Sequence, residues 1–313
     1  MNTISLNLNF MCGIIGSFNF EINKEILNSI IHRGPDDQGI YNDKKINLGH
    51  TRLSIQDLSK NGYQPMRSQC QNYVLVYNGE IYNKNELQKQ INSNGIFLKG
   101  DSDTEVLLNL FLLYREECLN YLNGIFSFAI WNIKDETLFI ARDFYGVKPL
   151  YFIEKNNQFH FSSELKALIY LSKLTSEINY ESLLNYFTYL WVPGPDTLFK
   201  NFSKLEAGHY IIVKNSKIVL KKQYYDLLKN KQLKRNYNFK EIKYNTKKLI
   251  EEAVKKQLIS DVKVGSFLSG GIDSTVITTL ASKYCDKSFE AFTILNKDFK
   301  NNSEREFADD YKY

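Results

Sequence analysis

Paired cysteines are missing from this chain. Cys12, Cys70, Cys118 and Cys285 are its only four, scattered along 313 residues without a CxxC pair. That spacing argues against a disulfide framework and a cysteine zinc site, and it fits a reducing, cytoplasmic setting. No stretch approaches the ~20 apolar residues that a bilayer crossing needs. The opening MNTISLNLNF has no basic segment and no long apolar run, so it does not read as a secretory signal. A strong charge of one sign is also absent: 40 basic against 35 acidic residues leave a net +5. That balance admits anionic small-molecule ligands without implying nucleic acid or a membrane. What is present is ordinary globular composition, 43% hydrophobic and 24% charged, with length for one large domain or two.

Between about residues 12 and 220, short β-rich runs alternate with two helical patterns. Candidate strands are Leu48–Ile55, Tyr73–Tyr77, Phe126–Ile133, Thr137–Ala141, Gln158–Ser162 and Tyr210–Lys214. The polar turns inside WNIKDETLFIAR and IVKNSKIVL predict hairpins and antiparallel pairing. TEVLLNLFLLYREE is apolar all round and long enough for a buried helix, and Asn83–Asn94 reads as a more exposed one. Strands with helices packed outside them predict a layered α+β domain.

The texture changes at KKQYYDLLKNKQLKRNYNFKEIKYNTKK, a polar and mostly basic stretch. Basic residues interleaved with aromatics are compatible with RNA, but a solvated connector across 221–240 accounts for them better. Beyond it, TKKLIEEAVKKQLI predicts a helix and VKVGSFL a strand, followed by the glycine turn SGG, helix IDSTVITTLASKYC and strand FEAFTIL. That order is a β-turn-α-β unit, the beginning of a parallel sheet. The expected organisation is an extension at 1–11, a first domain at 12–220, the connector, and an incomplete second domain at 241–313. About 75 residues are too few for the usual nucleotide-binding α/β domain.

The segment MCGIIG begins at Met11. Removal of that methionine would leave Cys12 with a free α-amine. A thiol of pKa ~8.5 must lose its proton to become a nucleophile. An α-amine of pKa about 7.7–8.0 can accept it near neutral pH. The expectation is therefore that translation starts at Met11, or that the extension is removed, because an amide nitrogen at Cys12 cannot take a proton.

MCGIIG is followed by HRGPDDQG (His32–Gly39), GHTRLSI (Gly49–Ile55), YNGEIYN (Tyr77–Asn83), GDSDTE (Gly100–Glu105) and RDFYGVKPLY (Arg142–Tyr151). Taken singly these are weak. Arg52 and Asp103 read equally as exposed ion-pair partners, and Asn78-Gly79 as a type I′ turn. In this order the chain resembles the class II glutamine amidotransferases. The resemblance implies an N-terminal-nucleophile, four-layer αββα fold and L-glutamine as substrate. Cys12 would be the nucleophile, and Asn78 and Gly79 the oxyanion hole. Arg52 would grip the substrate α-carboxylate, whose two oxygens suit a guanidinium fork. Asp103 would pair with the α-ammonium, with Glu80 helping to orient that amine. His32, His50, His160 and His209 sit in no nucleophile motif and read as structural.

SFLSGGIDS (Ser266–Ser274) lacks the Gly-Lys-Ser/Thr of a Walker loop. It resembles the pyrophosphate loop of the ATP-pyrophosphatase enzymes, and its fusion to the first domain resembles the glutamine-hydrolysing asparagine synthetases. The resemblance implies ATP and Mg²⁺. Ser269, Gly270, Gly271 and Ser274 would hold the pyrophosphate, Asp273 would help ligate the magnesium, and Leu268 and Ile294 would contact the nucleotide. The family reaction is a ligase reaction. Glutamine supplies ammonia at the first site, and ammonia then attacks an aspartyl-adenylate at the second. Alternatives stay open: a split or non-catalytic subunit, a homodimer or separate chain supplying the rest, and a carboxylate acceptor other than L-aspartate.

Overall fold

A computed structural model describes residues 11–174, 176–229, 238–285 and 289–293. The chain divides into two compact units, Met1–Lys231 and Gln232–Tyr313. In the first, the strands are β1 (Gly13–Phe18), β2 (Asp37–Asn42), β3 (Ile46–Arg52), β4 (Met66–Arg67), β5 (Tyr73–Ile81) and β6 (Gly124–Asn132). They continue with β7 (Thr137–Arg142), β8 (Tyr151–Lys155), β9 (Gln158–Ser162), β10 (Ser203–Lys204), β11 (His209–Lys214) and β12 (Lys217–Gln223). The helices of this unit are α1 (Lys24–Asn28), α2 (Lys84–Ser93), α3 (Asp103–Tyr114), α4 (Leu165–Ser172) and α5 (Tyr180–Tyr189).

Two antiparallel sheets form, in the orders β10-β8-β9-β1-β3-β2 and β12-β11-β7-β6-β5-β4. Side-chain alternation explains how they stack. Val74, Val76, Ala129, Trp131, Leu138, Ile140, Ile211 and Val213 of the second sheet meet Ile14, Leu48, Phe159 and Phe161 of the first. The intervening residues Leu75, Tyr77, Phe128, Ile130, Phe139 and Ala141 face the other way, onto Leu87 and Ile91 of α2 and Val106, Leu107 and Phe111 of α3. Behind the first sheet, Ile15 packs with Ile26 and Leu27 of α1 and Ala167 and Leu171 of α4. The result is four layers, αββα. Burying each large apolar side chain in them contributes about 1.5–3 kcal/mol.

Departures from the expected elements have local causes. Strand β1 (GIIGSF) is buried at every position, so no polar-apolar alternation marks it. Strand β12 (KIVLKKQ) is an edge strand, almost wholly exposed, and its lysines hide it inside the basic stretch. Helix α3 ends at Tyr114 because Arg115 takes φ +52° and the chain tightens into a 3₁₀ turn over Arg115–Asn120. The proposed 221–240 connector overlaps strand β12 at one end and a helix beginning at Phe239 at the other.

The second unit contains α6 (Phe239–Gln257), β13 (Gly265–Phe267), α7 (Ile272–Tyr284) and β14 (Glu290–Phe292). Strands β13 and β14 pair in parallel, Gly265 opposite Glu290 and Phe267 opposite Phe292, with α7 as the crossover. Among the described residues no helix is long and apolar enough to cross a membrane.

Candidate active site

Strand β1 lies against β3 with Gly13 opposite Thr51, which brings Cys12 beside Leu53. The Leu53 N–H donates to Cys12 Sγ at 3.3 Å. Arg33 clamps the main chain on both sides of the thiol. Its carbonyl accepts from Met11 N at 2.8 Å, and its Nε donates to the Cys12 carbonyl at 3.1 Å. Burial pushes the thiol up to about 11, with Glu80 and Asp103 adding to the rise, while the Leu53 N–H and the Lys148 ammonium pull it down.

A pocket of ≈ 360 Å³, mouth included, opens at Cys12 and is lined by Arg52, Gln56, Gln64, Gly79, Glu80 and Asp103 among others. Arg52 and Asp103 are 4% and 6% exposed, which disposes of the reading as surface ion-pair partners. The terminal nitrogens of Arg52 donate to backbone carbonyls, Nη1 to Ser59 at 3.1 Å and Nη2 to Asp57, and its guanidinium lies over the Tyr63 ring. Asp103 opens α3 behind the Ser102 cap, and its Oδ2 accepts from Tyr77 Oη at 2.8 Å and Ile81 N at 3.2 Å. Burial raises the Asp103 carboxyl above its ordinary value and lifts Tyr77 well above its own.

Asn78-Gly79 is not a turn. Both residues lie within β5, opposite Ser127 and Phe126. The Asn78 side chain is buried, and neither its Oδ1 nor its Nδ2 has a hydrogen-bond partner among the described residues. Such a buried amide is costly unless a ligand completes it. Gly79 is glycine for a reason that concerns the sheet itself: a Cβ there would stand 2.4 Å from the Ile125 carbonyl oxygen and 2.8 Å from Phe126 Cα. Glu80 accepts from Gln56 Nε2 at 2.5 Å, and burial together with the Asp103 charge raises its carboxyl to about 8.

Sequence reasoning overlooked three supports of this pocket. Gln64 Oε1 accepts from Tyr77 N at 2.6 Å, and Gln64 Nε2 donates to Thr104 Oγ1 at 3.3 Å, tying β5 to α3. Gln56 braces Glu80. Lys148, 7% exposed, donates to Met11 Sδ at 3.2 Å. No composition signal marks the glutamines. Lys148 lies within RDFYGVKPLY, where residue type alone assigns it no role.

None of the four histidines bonds to Cys12. His32 pairs with Glu164 at 2.6 Å, His50 Nε2 meets the Tyr77 carbonyl at 3.2 Å, His160 Nδ1 meets Ser17 Oγ at 2.8 Å, and His209 Nδ1 meets the Ala207 carbonyl at 2.9 Å. Burial drives His50 down to about 3 and His160 to about 4, so both rings are neutral.

In the second unit, Leu268 is 6% exposed at the end of β13 and Gly270 takes φ +82°, which favours glycine. Ser269 Oγ and Ser274 Oγ are 3.0 Å apart, and Ser269 N donates to Ser274 Oγ at 3.3 Å. Gly271 precedes α7 as its cap residue and supplies no side-chain cap, so the leading N–H groups of the helix stay open to an anion. Asp273 lies in its first turn. Among the described residues no cluster of three His, Cys, Asp or Glu could hold a metal, so a magnesium beside Asp273 would depend on phosphate oxygens. Ile294 lies outside the described residues.

The glutamine amidotransferase domain model matches residues 11–225, and the asparagine synthase model matches 245–312. Asparagine synthetase [glutamine-hydrolyzing] 1 of Bacillus subtilis is 37% identical over 301 residues, covering 91% of this chain and 46% of the relative. Putative asparagine synthetase [glutamine-hydrolyzing] 2 of Methanocaldococcus jannaschii is 38% identical over 304 residues, covering 89% and 58%. The chain thus spans about half the length of the curated relatives it matches. The glutamine phosphoribosylpyrophosphate amidotransferase structure from B. subtilis superposes with a TM-score of 0.52 at 17% identity, covering 92% of this chain and 67% of that one. That likeness is one of fold, the N-terminal-nucleophile amidotransferase fold. Layer order, motif order and family matches agree, and the chain belongs to the class II glutamine amidotransferases of the asparagine synthetase type.

Proposed function

We propose that the first unit hydrolyses L-glutamine to glutamate and ammonia at Cys12, and that Cys12 is the first residue of the active protein. The thiol lines a pocket together with Gly79, and the buried side-chain amide of Asn78, the residue just before Gly79, has no partner among the described residues; that arrangement carries the reading. A histidine base is missing from the thiol, so the proton must go elsewhere. The α-amine of Cys12 takes it once residues 1–11 are gone. The thiolate then attacks the side-chain carbonyl carbon. Asn78 Nδ2 and the Gly79 N–H receive the developing oxyanion. Collapse expels ammonia, which leaves with the proton held by the amine, and water frees the glutamyl thioester. Arg52 and Asp103, with Glu80, orient the α-carboxylate and α-ammonium. The guanidinium of Arg52 must trade the Asp57 or Ser59 carbonyl for the substrate.

The second unit fits the phosphates of ATP through the open start of α7, with Ser269, Gly270, Gly271 and Ser274 around them. Bound Mg-ATP would activate a carboxylate for attack by ammonia. Leu268, and Ile294 beyond the described residues, would contact the nucleotide, and Asp273 would share the magnesium. By family, L-aspartate is the acceptor and asparagine the product. The rest of the synthetase would come from a longer chain, a second copy or a separate subunit, in a reducing cytoplasm.

The test is glutaminase turnover by the chain beginning at Cys12. Cys12→Ala should reduce it to background. Comparable turnover in the alanine variant overturns the assignment.

A further inference from the structure

One motif has no part in the chemistry so far, although the structure devotes a buried network to it. Arg142–Tyr151 leaves β7 and turns back toward Met11. Asp143, 1% exposed, accepts four backbone N–H groups: Phe126 and Lys148 on Oδ2 at 3.1 and 3.0 Å, Tyr145 and Val147 on Oδ1 at 3.1 and 3.0 Å. Arg142 holds the other side. Its Nε donates to the Lys148 carbonyl at 2.7 Å, Nη2 to the Gly146 carbonyl at 2.5 Å and Nη1 to the Leu205 carbonyl at 2.5 Å. Gly146 takes φ +65°, where a side chain would be strained. A carboxylate and a guanidinium thus fix both the N–H and the C=O of Lys148. A loop needed only to reverse the chain does not require a rigid lysine at its end.

The Lys148 ammonium, 7% exposed, rests on the thioether of Met11, the residue joined to the Cys12 nitrogen. A sulfur ether is a poor partner for a buried cation. We propose that Lys148 is the fixed cation of the nucleophile site, positioned by Arg142 and Asp143 to stabilise the Cys12 thiolate. Loss of Met11 uncovers the ammonium, and the thiolate becomes its counter-ion. This inference rests on Cys12 being the nucleophile.

The need for such a cation follows from the charges around the thiol. Glu80 on β5 and Asp103 on α3 both oppose ionisation of Cys12, and burial opposes it further. The buried Tyr77 phenol and Arg52 also line the pocket. Arg33 spends its Nε on the Cys12 carbonyl and its Nη1 on Glu164 at 3.3 Å. Around Lys148 itself stand Glu80, Cys12, Arg33 and Asp143; burial and Arg33 lower its basicity, and the other three raise it. An opposite charge within about 4–6 Å shifts an ionisable group by about one unit or more.

The experiment follows the rate of Cys12 alkylation by iodoacetamide against pH in the chain processed to Cys12, site identified by peptide mass. Lys148→Met should raise the midpoint by about one pH unit, and Lys148→Arg should keep it near that of the parent. In the chain processed to Cys12, the acidic limb of kcat/KM for glutamine hydrolysis should move upward with Lys148→Met and return with Lys148→Arg. An unmoved midpoint in a folded Lys148→Met protein overturns the proposal. If that variant does not fold, Lys148→Arg and Lys148→Gln decide it: equal midpoints in both, or a raised midpoint in the arginine variant, overturn it as well. Alkylation requires no glutamine, so its outcome is separable from failure of the glutaminase assignment, which Cys12→Ala reports.

Discussion

Leu53 N–H points at Cys12 Sγ from 3.3 Å. This contact is the one hydrogen bond that favours the thiolate among the influences acting on that sulfur; burial and the carboxylates of Glu80 and Asp103 act against it. The Lys148 ammonium acts with that donor, but burial outweighs the two and the thiol is pushed up to about 11. On the proposed mechanism, activity requires a free α-amine at Cys12 to take the thiol proton.

Processing is the first consequence. Protein carrying Met11 should show glutaminase turnover about 100-fold or more below that of protein beginning at Cys12, the loss expected when a general base is removed. Intact mass fixes the starting residue and an ammonia assay reads the rate. Equal turnover in the two forms would remove the α-amine from the mechanism.

Asn78→Ala should lower kcat by about 10²–10³-fold with little change in KM, because its amide meets the oxygen only as charge develops. Gly79→Ala should fail differently. Its Cβ would lie 2.4 Å from the Ile125 carbonyl oxygen, a backbone atom of the paired strand, so the loss should appear as a lowered Tm. A kcat defect with an unchanged Tm would contradict that account.

Asp143 is buried and serves four N–H groups at once. Asp143→Ala strands those donors and should cost at least about 3 kcal/mol, each unmade bond being worth about 1–3. The urea midpoint of the first unit reads this directly. A loss under about 1 kcal/mol would mean that water replaces the carboxylate.

Glu80 yields a pH dependence. Folding raises its carboxyl from 4.5 to about 8, so between these values the folded chain holds a proton that the unfolded chain has released. Stability from this group is complete below pH 4.5 and is lost as pH rises through about 8. Glu80→Gln, neutral throughout, should therefore gain in Tm relative to the parent on going from about pH 5 to about pH 9. A Tm difference independent of pH would show that Glu80 is ionised in the folded chain. Glutamine should narrow the difference, since an ammonium beside Glu80 restores its acidity.

Legibility in the sequence divided along physical lines. Cys12, Asn78 and Asp103 were readable because each stands in a short motif of distinctive residue types, Asp103 directly after the Ser102 that caps α3 through Glu105 N–H. The three supports, Gln56, Gln64 and Lys148, were not. Gln64 matters through Tyr77 and Thr104, and Lys148 through Met11, 137 positions away. Such contacts leave no periodicity to read. Strand β1 escaped because it is buried on both sides, whereas α2, with Leu87 and Ile91 inward, kept a helical signature.

The amino-acid order alone carried the motifs that place the chain among the glutamine amidotransferases, together with a second β-loop-α-β unit. Those are properties of residue type and local backbone, which need no distant partner. Packing decided the rest: that Asn78-Gly79 runs through a strand instead of turning, that Arg52 and Asp103 are interior, and that Lys148 arrives beside Met11. Charge and burial act through space, and only the closed sheets bring residues far apart in the chain within reach of one sulfur atom.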